Sequence, residues 1–445
     1  MRSLPLPRIE LALVAERAVV SQGLARAAYS TLFRLLIPAY LLRLWLRGRA
    51  EPGYRVALPQ RLGFGEPAIA PGALWLHAVS LGETKAAAAL VDALRVQRPG
   101  LRLLLTHGTA TGREAGQALL RQGDAQAWLP VDTPGAVRRF LRATRPAAGV
   151  LMETEIWPNL LHEAGRAGLP MVLANARLSE RSARKGERLR ALMAPAVQAL
   201  ALALAQSEAD AQRLRSAGVP DVQVAGNLKY DLQPPAAQQA IGEAWRAALA
   251  RPVVVLANSR DGEEALLLRE WGQAFAGRRE RPLLLIVPRH PQRFDDVARL
   301  VAQSGLSLAR RSAWTADEPP AEAAQADVWL GDSLGEMSLY YSLADVALLG
   351  GSFLPLGGHN LIEAAANGCP IVVGPSTFNF AEAAQLALAA GAARSAQDVP
   401  QALAMAKDWL AHPLALSEAV AHAQAFAARH RGAAARMAAA ILARC

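Results

Sequence analysis

Short apolar runs alternate with amphipathic stretches along most of this chain, and the rhythm predicts a parallel α/β architecture. Residues 74–79 (Leu-Trp-Leu-His-Ala-Val) read as a strand, 85–96 as a helix and 101–105 as a second strand. Residues 149–152, 171–174, 200–205 and 222–225 continue the series. It restarts at 252–257 and goes on through 283–287, 346–349 and 370–373. Apolar runs of this kind, spaced by helical patterns, mark βαβ units whose strands are covered on both faces. Between the two series lie residues 226–235, with turn formers and paired prolines, which predict an interdomain linker. No short-period repeat is present. The picture is two consecutive doubly wound halves, with ligands at the carboxyl ends of strands and the natural site in the cleft between the halves.

The N-terminal region breaks this rhythm. Residues 29–46 read Tyr-Ser-Thr-Leu-Phe-Arg-Leu-Leu-Ile-Pro-Ala-Tyr-Leu-Leu-Arg-Leu-Trp-Leu, followed by Arg47-Gly-Arg49. A spanning helix needs about 20 mostly apolar residues, and Arg34, Pro38 and Arg43 interrupt the run. A charge at mid-bilayer costs on the order of 3 kcal/mol. A helix lying in the membrane interface fits better, with Tyr40 and Trp45 at headgroup depth and Arg43, Arg47 and Arg49 on anionic lipid. The competing reading is a hydrophobic helix packed on the protein itself. Residues 1–25 carry charges among apolar residues and predict no signal peptide.

Composition narrows this further. At 445 residues, 52% hydrophobic and 19% charged, the chain suits two α/β domains and not global disorder. The net charge of +10, from 48 basic and 38 acidic residues, suits an anionic partner or reflects a genome that writes Arg for Lys. No interleaving of aromatic and basic residues points to nucleic acid. Cys369 and Cys445 have no partner at metal or CxxC spacing, so no disulfide framework, no zinc site and a reducing, cytoplasmic setting are expected.

Five segments carry candidate chemistry. Ser80-Leu-Gly82-Glu83-Thr follows the first strand, with Gly82 permitting a tight turn. Glu83 is either a general base toward a hydroxyl or a first-turn acid complementing the helix dipole. Met152-Glu153-Thr-Glu155-Ile-Trp-Pro158 places two carboxylates after an apolar run. They point the same way if the strand continues, or sit on a loop if it has ended. A counter-charge is available in Arg177, and Pro158 suits a helix start. Pro288-Arg289-His290-Pro291 ends a strand, where Arg289 can hold a phosphate or simply be solvated. Gly331-Asp-Ser333-Leu-Gly335-Glu336-Met and Gly357-Gly358-His-Asn360-Leu-Ile-Glu363 are glycine-rich turns feeding helices, where free backbone N–H groups suit phosphate. Asn360 is a plausible N-cap, and Glu363 could accept from ribose hydroxyls. No P-loop lysine and no GxGxxG is present, which argues against an ATPase or a dehydrogenase.

Taken in order, these segments resemble the 3-deoxy-D-manno-octulosonic acid (Kdo) transferases of lipopolysaccharide assembly. Further markers are Tyr54-Arg-Val-Ala-Leu-Pro-Gln-Arg-Leu-Gly-Phe64, His77-Ala-Val, Asn175-Ala-Arg-Leu-Ser179, Gly226-Asn-Leu-Lys-Tyr-Asp231 and Gln292-Arg-Phe294. The resemblance implies an inverting glycosyltransferase with a GT-B fold, two Rossmann-like doubly wound domains facing across a cleft, and an N-terminal membrane-associating helix. It divides the chain into an extension (1–28), an anchor helix (29–48), an acceptor-binding domain (49–225), a linker (226–236), a CMP-Kdo-binding domain (237–416) and C-terminal helices packing back on the N-terminal domain (417–445). Implied partners are CMP-Kdo as donor, lipid IVA as acceptor and the anionic cytoplasmic face of the bacterial inner membrane, with no cofactor, no metal and no nucleic acid.

Roles follow by position. Glu83 matches the proposed general base, and Glu153 the acidic acceptor-side motif with Gly82, Glu155 and Arg177 near it. Arg289 matches the arginine on the CMP phosphate, with His290 beside it. Ser333, Gly335 and Glu336 belong to the loop around the nucleotide, and Gly358, Asn360 and Glu363 to its phosphate and ribose side. Arg47, Arg49, Arg55 and Arg61 are candidates for the phosphates of the lipid acceptor. One segment departs from the pattern: Asn258-Ser-Arg260 stands where the family often carries Ser-Thr-His. Another GT-B enzyme with a different nucleotide sugar, or a catalytically decayed membrane-bound scaffold, remain the alternatives.

Overall fold

The computed structural model describes residues 8–231, 233–275, 281–314 and 318–445, with side chains from Val20 onward. The chain forms two compact units, Met1–Asp231 with Arg431–Cys445, and Leu232–His430.

The first unit is built on a seven-stranded, wholly parallel sheet. Its strands are β1 (Leu74–His77), β2 (Leu103–His107), β3 (Ala125–Trp128), β4 (Ala148–Met152), β5 (Met171–Ala176), β6 (Leu202–Ala205) and β7 (Val222–Val224), in the order β3-β2-β1-β4-β5-β6-β7. Alternate residues serve opposite faces of a strand. Leu76, Val150, Val172 and Leu204 pack on the helices Leu81–Gln97 and Ala433–Leu442, while Trp75, Leu104, Leu151 and Leu173 pack on Phe140, Leu160 and Leu214.

The second unit repeats the plan with β8 (Val253–Ser259), β9 (Leu283–Pro288), β10 (Leu308–Arg310), β11 (Val328–Leu330), β12 (Val346–Leu349), β13 (Ile371–Val373) and β14 (Ala393–Ser395). All pairs are parallel, in the order β10-β11-β9-β8-β12-β13-β14. Val254, Leu256, Ile286 and Leu348 pack here against Leu267, Trp271, Phe275 and Trp409. In each sheet the winding reverses beside the first strand, at β1/β4 and at β8/β12. Loops leaving the carboxyl ends of those strands diverge to opposite faces and leave a crevice.

Two boundaries differ from the sequence-based expectation. The tail expected over 417–445 is divided: the helix Pro413–Arg429 belongs to the second unit, and only Ala433–Leu442 packs on the first. The cause is apolar pairing, since Ala419 joins the second unit's core while Met437 and Ile441 join the first unit's. The N-terminal helix is continuous from Arg8 to Arg47, with no break at 28.

That helix has two kinds of face. Ser30 and Leu44 are buried. The Tyr29 hydroxyl donates to Asp132 Oδ2 (2.9 Å) and the Ser30 hydroxyl to Asn159 Oδ1 (3.0 Å). Asp132 also accepts the backbone N–H groups of Asn159 and Leu160 (3.1 and 2.7 Å), at the start of the helix Pro158–Arg166. Leu32, Leu35, Leu42 and Leu46 are exposed on the outside. The helix is therefore packed on the protein by one face and apolar on another. Among the described residues no helix is long and apolar enough to cross a membrane.

Candidate active site

In the first unit the site is acidic and lies at the β1/β4 switch point. Ser80 is the N-cap of the helix Leu81–Gln97. Its hydroxyl accepts the Glu83 N–H (3.4 Å), and the Glu83 carboxylate reaches back, accepting the Ser80 hydroxyl (3.1 Å) and the Val79 N–H (2.8 Å). This is a variant of the capping box, in which Ser80 caps the Glu83 N–H and the Glu83 carboxylate returns to the N–H one residue before the N-cap. Glu83 is thus a first-turn acid of this helix, as one of its two readings expects. Burial raises its pKa above the ordinary value, the charge of Glu153 adds to the rise, and the hydrogen bonds from Val79 and Ser80 oppose it.

Gly82 does not form a tight turn. It lies in the first helical turn, and a Cβ there would meet only the Ser80 hydroxyl, at 3.9 Å, so the space above it is open beside Glu83.

β4 ends at Met152, so Glu153 and Glu155 belong to the loop and not the strand. Glu153 has φ 59°, the left-handed region, which costs an L residue about 1 kcal/mol. It is held there by its N–H on Ala174 O (2.9 Å) and by the Arg177 N–H on its carbonyl (3.3 Å). Such strain persists where the surroundings over-determine it, often at functional positions. Trp157 Nε1 donates to Glu155 (2.8 Å). Burial, with the charges of Glu83 and Glu153, still pushes the Glu155 carboxyl up to about 7. The three carboxylates thus share one electrostatic neighbourhood. Arg177 is exposed.

The coupling sets a pH dependence. A carboxylate base works only when ionised, so its activity falls as pH drops through its raised pKa. Glu153→Gln removes one charge that raises the pKa of Glu83. The acid limb of kcat/KM should then move to lower pH in a pH–rate profile; an unmoved limb would separate Glu83 from the titration.

The second unit's site is basic. Arg289 directly follows β9 and is exposed, and its N–H donates to Ser259 O (3.0 Å) at the end of β8. Burial, with Arg289, Arg260 and His290 nearby, holds His359 down at about 4, so it is neutral at pH 7. What burial His290 has, with Arg260, Arg289 and Arg293, holds it low as well. Arg293 is compensated by Glu264 (2.9 Å) and Asp261 (2.9 Å). Arg260 and Arg289 form no ion pair among the described residues. Two uncompensated guanidiniums at the neighbouring ends of β8 and β9 give this part of the unit the charge and geometry that suit an anion.

Glu263 and Glu264 were not singled out as functional from sequence. Glu263 is buried and accepts the backbone N–H groups of Gly351 (2.7 Å), Arg260 (2.9 Å) and Phe353 (3.1 Å). It ties the loop after β8 to the loop after β12. Gly350 has to be glycine, because a Cβ would sit 2.5 Å from Asn258 O. Leaving three donors without partners costs about 1–3 kcal/mol each where they are buried. Glu263→Ala should therefore destabilise the second unit by ~3 kcal/mol or more in urea unfolding.

The remaining candidates are placed as follows. Ser333, Glu336 and Tyr340 are hydrogen-bonded to one another, and Arg311 pairs with Glu336 at 2.9 Å. Gly335 has φ 82°, and its carbonyl accepts from Gln238 (2.7 Å). Gly358 has φ 71° and donates its N–H to Gly351 O (2.7 Å). Asn360 is not the N-cap. The helix Ile362–Ala366 is capped at Leu361, and Asn360 accepts the Ile362 N–H (3.1 Å), an Asx turn that sets up the helix instead. Glu363 lies in that helix's first turn.

The basic residues assigned to acceptor phosphates also divide. Arg61 is buried, stacked 3.9 Å from the Trp128 ring centroid and donating to Gly108 O (3.0 Å), so it is no surface cation. Arg47 pairs with Glu51 (3.1 Å), and Arg49 and Arg55 lie over Trp45.

Two doubly wound parallel units, one with carboxylates at its switch point and one with cations at the ends of β8 and β9, have the GT-B fold of nucleotide-sugar glycosyltransferases. The crystal structure of UDP-GlcNAc 2-epimerase from Neisseria meningitidis bound to UDP-GlcNAc matches that fold with a TM-score of 0.57, at 15% identity, over 84% of this chain and 100% of its own. The family model "3-Deoxy-D-manno-octulosonic-acid transferase (kdotransferase)" matches residues 57–232. The 3-deoxy-D-manno-octulosonic acid transferase of Bordetella pertussis is 47% identical over 424 residues, 92% of this chain and 97% of its own. That of Haemophilus influenzae is 35% identical over 80% of this chain and 84% of its own. The chain belongs to the Kdo transferase family, the glycosyltransferases that add Kdo in lipopolysaccharide biosynthesis.

Proposed function

We propose that the protein transfers Kdo from CMP-Kdo to the tetra-acylated lipid A precursor lipid IVA, in one inverting displacement, while seated on the cytoplasmic face of the inner membrane. The observation that carries the reading is Glu83, a carboxylate of raised pKa at the β1/β4 switch point with open space beside it. Glu83 takes the proton of the acceptor hydroxyl as that oxygen attacks the anomeric carbon, and the bond to CMP breaks. Arg289, with Arg260 and His290, stabilises the phosphate on which charge grows. The loops around Ser333, Gly335 and Glu336, and around Gly358, Asn360 and Glu363, hold the nucleotide. The carboxylate of Kdo needs a cation of its own, and Arg177, whose backbone pairs with Glu153, is the candidate. The exposed leucines of the N-terminal helix lie in the membrane interface, with Arg43 and Arg49 toward anionic headgroups.

Inhibition of transfer by CMP but not by UDP, together with NMR of the product showing opposite anomeric configuration to the donor, is the expected result. Inhibition by UDP instead would assign another donor, and retained configuration would rule out the single displacement.

A further inference from the structure

Beside the acidic site of the first unit lies a second feature that the chemistry above does not use. A cavity of about 320 Å³ opens under the N-terminal helix. Phe33, Ile37 and Tyr40 of that helix form one wall, and Leu129, Val131 and Trp157 form the other. Leu36, 49% exposed, stands at its rim. An apolar cavity of about 150 Å³ already stays dry and binds a benzene ring, so this one has room for a longer hydrocarbon.

Most polar groups in its lining are committed elsewhere. Arg61 is taken by Gly108 O and the face of Trp128. Asp132 is taken by Tyr29 and two backbone donors. His77 is buried, with Nδ1 on Thr106. His77 Nε2 and Arg61 Nε are buried without a hydrogen-bond partner among the described residues, and the rest of what is left for a ligand is hydrocarbon wall. The cavity also adjoins the acidic site: Val79, whose N–H binds Glu83, and Trp157, whose indole binds Glu155, both line it. The Tyr29–Asp132 and Ser30–Asn159 bonds hold the helix in place, so the walls are preformed.

We propose that this cavity is an acyl-chain subsite, in which one hydrocarbon chain of the lipid acceptor lies between the N-terminal helix and the carboxyl ends of β1–β3 and brings the sugar hydroxyl to Glu83. The proposal rests on the lipid-acceptor reading above. It makes the N-terminal helix part of the substrate site and not only a means of reaching the membrane.

The test is a fluorescence titration of the full-length protein with 11-(dansylamino)undecanoic acid, read beside transfer kinetics. Saturable binding that the tetra-acylated acceptor displaces is expected. Ile37→Trp, which fills the cavity, should weaken probe binding and raise the acceptor KM at least ten-fold, with the CMP-Kdo KM unchanged. Leu36→Trp at the rim should do the same to a smaller extent and decides the matter if Ile37→Trp does not fold. Val96→Trp, exposed on the helix Leu81–Gln97, should change neither. Unchanged probe binding and acceptor KM in a folded variant would overturn the subsite while leaving the transfer reaction intact. Displacement by phospholipid but not by the acceptor would overturn it too. A wild-type protein that glycosylates no lipid acceptor would count against the proposed reaction, and the probe displacement would still decide the subsite.

Discussion

Glu83→Gln should lower the rate of Kdo transfer ~10²–10⁴-fold, the usual contribution of a positioned general base, with the first unit still folded. The substitution separates the two duties of this side chain. The amide oxygen of Gln can still accept the Val79 N–H, its NH2 can donate to the Ser80 hydroxyl in place of the bond that the hydroxyl now donates, and Gln serves in a capping box as Glu does. Stability should therefore stay within about 1 kcal/mol of wild type. A neutral amide cannot take a proton at any pH, so the acid limb of the pH profile should vanish together with the activity. Glu83→Ala, by contrast, loses both base and cap and should add ~1 kcal/mol of destabilisation. If Glu83→Gln turns over at a near-normal rate, the carboxylate is only a cap and the base lies elsewhere.

The second large effect is expected in the other unit. Arg289→Ala should reduce kcat/KM by ~10²–10³, the scale for removing one donor aimed at charge that develops in the transition state. The guanidinium is exposed and unpaired at the end of β9, so its removal leaves no buried group without a partner. Thermal unfolding should stay at the wild-type temperature. Arg289→Lys should recover only part of the loss, because an ammonium keeps the charge but not the planar fork that grips two phosphate oxygens. Full recovery with Lys would mean that the position supplies charge alone.

Much of the fold was legible because the central strands are buried on both faces. β1, β4, β5, β8, β9 and β12 read as continuous apolar runs for that reason. β3, β10, β11 and β14 were not anticipated. They are short, three of them lie at sheet edges, and Gln126, Arg310 and Arg394 break their apolar pattern. The divided C-terminal tail was equally hidden, since both of its helices are alanine-rich and only tertiary packing tells them apart.

The site followed the same rule. Arg289 and Glu83 were visible as charged residues at the ends of apolar runs. Glu263 was not, because its work is to accept backbone N–H groups from a loop distant in sequence. Arg61 looked like a surface cation, and only the position of Trp128 shows that it is buried. Asn360 has the residue type of an N-cap, but Leu361 takes the capping position and leaves Asn360 one residue outside the helix.

The central claim is tested most directly by incubating purified protein with freshly generated CMP-Kdo and the tetra-acylated lipid A precursor and weighing the lipid by mass spectrometry. A mass gain of one or more Kdo residues is the predicted result, and its size gives the number added. No gain, with the protein folded and detergent present, would contradict the assignment of lipid IVA as acceptor.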